Sequence, residues 1–130
     1  MKPAKPVSVM LVCALLVFPL LAHAHHSYAD YIRAERSLFE GKITAIHWAN
    51  PHVVLTVFDG KQDMRIEWIA AQRAAFNGVS KEQLLVGDSI RVIGSKNRKP
   101  ELRTMTLIKE LEIPAKGWHW VSTSLARSNQ

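Results

Sequence analysis

Five histidines after residue 24 are the side chains of this chain best suited to chemistry: His25, His26, His47, His52 and His119. They fall into two groups and a singleton. His25 and His26 sit in AHAHHSY (22–28), where an apolar run ends. His47 and His52 bracket HWANPH (47–52). A neutral imidazole is a good donor to copper, nickel or zinc. Whether the first pair forms a site depends on where the chain is cut.

The first 24 residues have the three parts of a secretory signal. Lys2 and Lys5 supply positive charge, VSVMLVCALLVFPLLA (7–22) is an apolar stretch of 16 residues, and Ala22 and Ala24 offer small residues for a peptidase. A retained anchor would need about 20 apolar residues, and Pro19 sits near the end of this run. Cleavage after Ala24 and a periplasmic location are therefore expected, with no stable membrane anchor left. His25 then becomes the first residue. Its free amine, with a pKa near 8, and its imidazole can chelate one ion in a small ring. Nitrogen donors of this kind suit a copper ion best, with zinc or nickel behind. Cleavage after Ala22 would instead expose His23-Ala24-His25, a square-planar copper or nickel site. Histidines at a signal junction can also be an accident of signal composition.

A folded body must supply any further ligand. Asn50-Pro51 marks a turn between two β-rich runs, which puts His47 at the end of one strand and His52 at the start of the next. An arm of about a dozen residues could bring His25 to that turn. The expected metal ligands are therefore His25, His26, His52 and His47. His47 also reads as an exposed strand residue, and His52 as a strand-end residue bonded to a backbone carbonyl. His119, between Trp118 and Trp120, reads as tail packing. Met64, Met105 and Trp68 read as core.

Other chemistries find little support. The single cysteine, Cys13, lies in the apolar stretch, so the mature chain has no thiol for disulfides, thiolate metal sites or nucleophilic catalysis. No phosphate loop, G-x-S-x-G or H-E-x-x-H motif occurs. Glu67 and Asp63 are available carboxylates, but no motif pairs them with each other. Lys96, Arg98 and Lys99 read as a solvated basic loop. The whole chain carries +6; without Lys2 and Lys5, 15 basic residues face 11 acidic ones, leaving +4. Export makes nucleic acid an unexpected partner for that charge, and no catalytic residue stands out.

The elements that must position the histidines follow from alternation and turn signals. LFEGKITAIHW (38–48) alternates, with Ile43, Ala45 and His47 on one side and Thr44, Ile46 and Trp48 on the other. HVVLTVF (52–58) places Val53, Leu55 and Val57 together. Asp59-Gly60 is a hairpin turn. Next, MRIEWIA (64–70) sets Met64, Ile66 and Trp68 against Arg65 and Glu67. Helix formers at 70–78 and a capping-box spacing, Ser80 to Gln83, predict a short helical connection. VGDSIRVIGS (86–95) and LRTMTLIKELEI (102–113) are the last two strands. The expected fold is mainly β: a small five-stranded OB-like antiparallel barrel with a short helical connection between strands 3 and 4. Its expected limits are 25–113, between a signal peptide at 1–24 and a tail at 114–130 that Trp118 and Trp120 could pin back.

AHAHHSY, GKITAIHWANPH and VGDSIRVIG together resemble a family of small exported bacterial proteins classed as a domain of unknown function. The carrying residues are His25, His26 and Ser27; Trp48, Asn50, Pro51 and His52; and Gly87 with Asp88. The resemblance implies export and a small β-barrel-like fold, and it brings no reaction. In overall plan the chain is also similar to small periplasmic copper carriers of the OB type. Two function classes follow. One is a periplasmic binding protein for a copper-like ion. The other is a non-metal module in which the barrel face or the tail tryptophans dock an envelope protein or glycan. Oxidative chemistry at such a copper is a third.

Overall fold

The computed structural model describes residues 28–31 and 33–123. The strands are β1 (Ser37–His47), β2 (Val54–Phe58), β3 (Asp63–Glu67), β4 (Ser89–Lys96), β5 (Thr104–Ile113) and β6 (Trp118–Val121). One helix, α1 (Ala71–Phe76), and a 3-10 turn at Lys81–Gln83 connect β3 to β4. That turn carries the expected capping box: Ser80 N–H donates to the Gln83 side chain at 3.0 Å.

Hydrogen bonding runs β3-β2-β1-β4-β5-β6. A parallel pairing of β3 with β5, Arg65 opposite Thr104 and Ile66 opposite Met105, closes β1–β5 into a five-stranded barrel. This is the expected OB-like plan, with the other barrel ladders antiparallel. The alternating inward residues fill it: Ile43, Leu55, Val57, Ile66, Ile90, Val92, Met105 and Leu111 are all but fully buried. Ala74 and Leu84 from the connection between β3 and β4 join them.

Two glycines let the strands approach. A Cβ on Gly41 would stand 2.5 Å from the Phe58 carbonyl oxygen, and one on Gly94 would stand 2.9 Å from that of Thr106. Both distances are below van der Waals contact, so a side chain at either position would push strands apart.

The structure departs from simple alternation in β1. Its pairing with β2 steps from Ile43–Val57 to Ala45–Thr56, a β-bulge. One extra residue inverts the facing of all that follows. Ile43 is buried, but Ala45 and His47 are exposed, while Ile46 and Trp48 turn toward the core.

The stretch after Pro114 forms more structure than a tail. Trp118–Val121 is a sixth strand on β5, with Trp120 opposite Leu111 and Trp118 opposite Ile113. The reason is aromatic. Trp68, at the end of β3, meets Trp48, Trp118 and Trp120 edge-on, with centroids at 6.4, 6.4 and 5.0 Å. Such T-shaped contacts match the positive ring edge to the negative face. All four tryptophans of the chain are joined in this cluster.

Candidate functional site

The edge of β5 that faces away from β4 is shared by two strands. At its start it pairs with β3, through Thr104 and Met105. At its end, Glu110–Ile113, it pairs with β6. Between them neither strand pairs with it. There β5 bulges: the β4 pairing jumps from Ile93–Glu110 to Ser95–Thr106. Leu107 takes φ 49°, the left-handed region that branched and bulky residues avoid. Two bonds hold the margins of this gap. Thr106 Oγ1 donates to the Glu67 carbonyl at 3.3 Å, and Ser122 N–H donates to the Lys109 carbonyl at 2.8 Å.

A cavity of about 520 Å³ lies over the gap. Thr106–Lys109 form one wall; Glu67, Trp68, Ile69 and Ala70 form another. Arg73 on α1 and His52 with Pro51 on the β1–β2 turn border it as well. The turn is fixed to the helix through Asn50, whose Oδ1 accepts from Gln72 N–H at 3.2 Å. That bond satisfies an amide at the start of α1, where Ala70 has no capping side chain.

The remaining border comes from Ser122 and from the N-terminal arm, through Tyr28 and Arg33. Tyr31 anchors this arm. It is 5 % exposed, forms a β-bridge with Asn97, and shares a hydrogen bond between its hydroxyl and Thr104 Oγ1 at 2.9 Å. Arg98 N–H donates to the Asp30 carbonyl at 2.9 Å. Three residues upstream of Tyr31, Tyr28 reaches the cavity, with the Arg33 guanidinium 5.4 Å from its ring centroid.

Of the expected ligands, the structure places His52 in this cavity and leaves His47 out of its lining. The bulge in β1 accounts for His47, which faces outward opposite Val54. His25 and His26 lie outside the described residues. His119 stands exposed on β6, its Nε2 3.4 Å from Glu110 Oε2. Among the described residues no group of three or more His, Cys, Asp or Glu side chains comes together to hold a metal ion. His52 and Glu67 are the two metal-capable side chains of the cavity wall.

Sequence reasoning missed Arg33, Glu67 as a buried residue, Arg73, Thr106 and Lys109. Glu67 points off the barrel exterior, as its place in β3 requires, yet it is 3 % exposed and salt-bridged to Arg65 Nε at 3.0 Å. Nothing in the local pattern tells that an outward strand position is covered by other elements. Lys109 donates from Nζ to the Glu35 carbonyl. Burial and the nearby Arg36 charge lower its pKa, and Glu35 partly opposes them. Trp68 Nε1 is the one buried side-chain polar atom among the described residues without a hydrogen-bond partner.

No curated protein matches this chain. A family model does match, over residues 14–105, from inside the N-terminal apolar stretch to the start of β5. It covers the arm, the β1–β2 turn, the end of β3 and α1, which build most of the cavity border. The chain therefore belongs to DUF6152, a family of unknown function.

Proposed function

We propose that the protein is an exported, periplasmic binding protein that holds a copper-like ion at the rim of its barrel, through the amine and imidazole of a processed N-terminal His25, with His26 and His52. The observation that supports this reading is that Tyr28 and His52 border one cavity. Three residues of extended chain span at most roughly 11 Å, the longest reach from Tyr28 back to a first residue at position 25. An amine whose pKa is near 8 gives up its proton to a metal close to neutral pH. Amine and imidazole nitrogens together favour copper over the other common divalent ions. The Glu67 carboxylate lines the same cavity as His52.

The competing reading has either the barrel face or Trp118 and Trp120 dock an envelope protein or glycan, and the structure bears on its tryptophan half. Both rings pack against Trp68, and Trp120 is 8 % exposed. They are committed to holding β6, which favours the cavity over the tail as the site.

The test is a copper(II) titration by calorimetry of untagged protein recovered from the periplasm, its first residue established by mass spectrometry. A start at His25 and tight one-to-one binding that one extra N-terminal residue weakens strongly are expected. Equal binding with and without the extension removes the amine from the site. A different first residue removes the proposal in this form.

A further inference from the structure

The cavity carries more positive charge than a metal site needs. Arg33, Arg73 and Lys109 border it together with His52, against the Glu67 carboxylate of the lining and the Glu35 charge that acts on Lys109 from outside it. Glu67 is already engaged with Arg65. None of the ion pairs among the described residues includes Arg33, Arg73 or Lys109. Arg33 rests on the Tyr28 ring, and Lys109 spends one of its three donors on the Glu35 carbonyl. Like charges gathered around one concave space repel each other and focus a field that draws in anions.

We propose that this cavity binds a small organic oxyanion, a carboxylate or phosphate carried on an apolar body, with its head at Arg33, Arg73 and Lys109. The size argues for an organic ligand: about 520 Å³ far exceeds one inorganic ion and falls within the range of small-molecule pockets. The rest of the lining argues for the apolar body, since Trp68, Ile69, Leu107 and Pro51 belong to it. The β5 bulge argues that the space is built. It interrupts the sheet edge between β3 and β6 and holds Leu107 at a costly φ, and bulges of this kind commonly re-aim side chains beside a site. The anion site goes beyond the metal reading and needs neither His25 nor His26. An oxyanion seated there would also offset the charge of an ion held at His52.

The experiment is an NMR titration of protein stripped of metal with EDTA and then dialysed free of the chelator, so that neither metal nor a competing carboxylate takes part. Benzoate and phenyl phosphate are the probes, with benzyl alcohol and benzylamine as controls. Saturable shifts at His52, Trp68, Ile69 and Leu107–Lys109 with either anion are expected, and the tighter of the two identifies the head group. Arg73→Gln with Lys109→Gln should weaken binding at least about tenfold, the loss expected for charge-assisted contacts. If that pair fails to fold, the exposed Arg33→Gln substitution tests the same wall with a smaller loss. Equal shifts with benzyl alcohol overturn the proposal, as do shifts confined to the Lys96–Arg103 loop or no saturable binding. A copper titration on protein of the same preparation, free of chelator, separates the two readings: anion binding without copper binding sinks only the metal site, and the reverse sinks only this one.

Discussion

Trp68 and Trp120 meet edge-on at 5.0 Å, with their rings 85° apart. This contact joins the end of β3 to β6, two segments that never pair as strands. Trp120→Ala should therefore cost about 3 kcal/mol, the usual range for emptying a buried aromatic site. It should also free β6 from β5. Urea unfolding gives the first, and amide exchange at Trp118–Val121 gives the second. Trp118 is only partly buried, so Trp118→Ala should cost less.

Gly41 and Gly60 are expected to respond differently to alanine. A Cβ at Gly41 would strike the Phe58 carbonyl oxygen at 2.5 Å, while one at Gly60 meets nothing within 4 Å. Gly41→Ala should destabilise by about 1–3 kcal/mol, as overpacking does. Gly60→Ala should cost only about 1 kcal/mol for its positive φ. Thermal unfolding of the two variants side by side checks the order.

Asp59 caps the β2–β3 turn. Its Oδ1 accepts from Lys61 and Gln62 N–H at 2.9 and 3.0 Å, and Oδ2 pairs with Arg103 at 2.8 Å. The Gln62 amide, then Arg103, then the Lys61 amide hold its pKa down at about 2 from an ordinary 3.8. A pKa depressed in the folded state adds stability that is complete above the ordinary value and disappears as pH falls through about 2. A carboxyl carbon titration by NMR should place the Asp59 midpoint near 2. Asp59→Asn should lower stability at neutral pH and leave it nearly unchanged below that midpoint.

His52→Ala and His47→Ala should part company in a copper titration. His52 borders the cavity and His47 does not, so the first should weaken binding by at least about tenfold and the second should leave it unchanged. Tyr31→Ala, which frees the arm without touching an imidazole, should weaken copper binding too, with the barrel intact by circular dichroism. Identical behaviour of the two histidine variants would remove His52 from the site.

The strands and turns of the barrel were legible because their signals are local. Alternating Val53, Leu55 and Val57, the Asp59-Gly60 turn and the Ser80–Gln83 box declare themselves within a few residues, since side-chain period and turn geometry act at short range. The bulge at Thr44–Ala45 was not legible. A bulge is set by how two strands must curve to close a barrel, and that depends on partners distant in sequence.

The residues alone determined the succession of five strands and a helical connection along the chain, the apolar interior, the single thiol placed in the N-terminal apolar run and the nitrogen-rich junction at 22–28. Only the tertiary structure decided that His52 shares a cavity with the arm while His47 faces away. It alone brought Arg33, Arg73 and Lys109 together and wrapped the last strand onto Trp68. The physical reason is that facing and burial on the outside of a closed sheet are fixed by what lies across it, and the local pattern of a strand records only which of its sides is apolar.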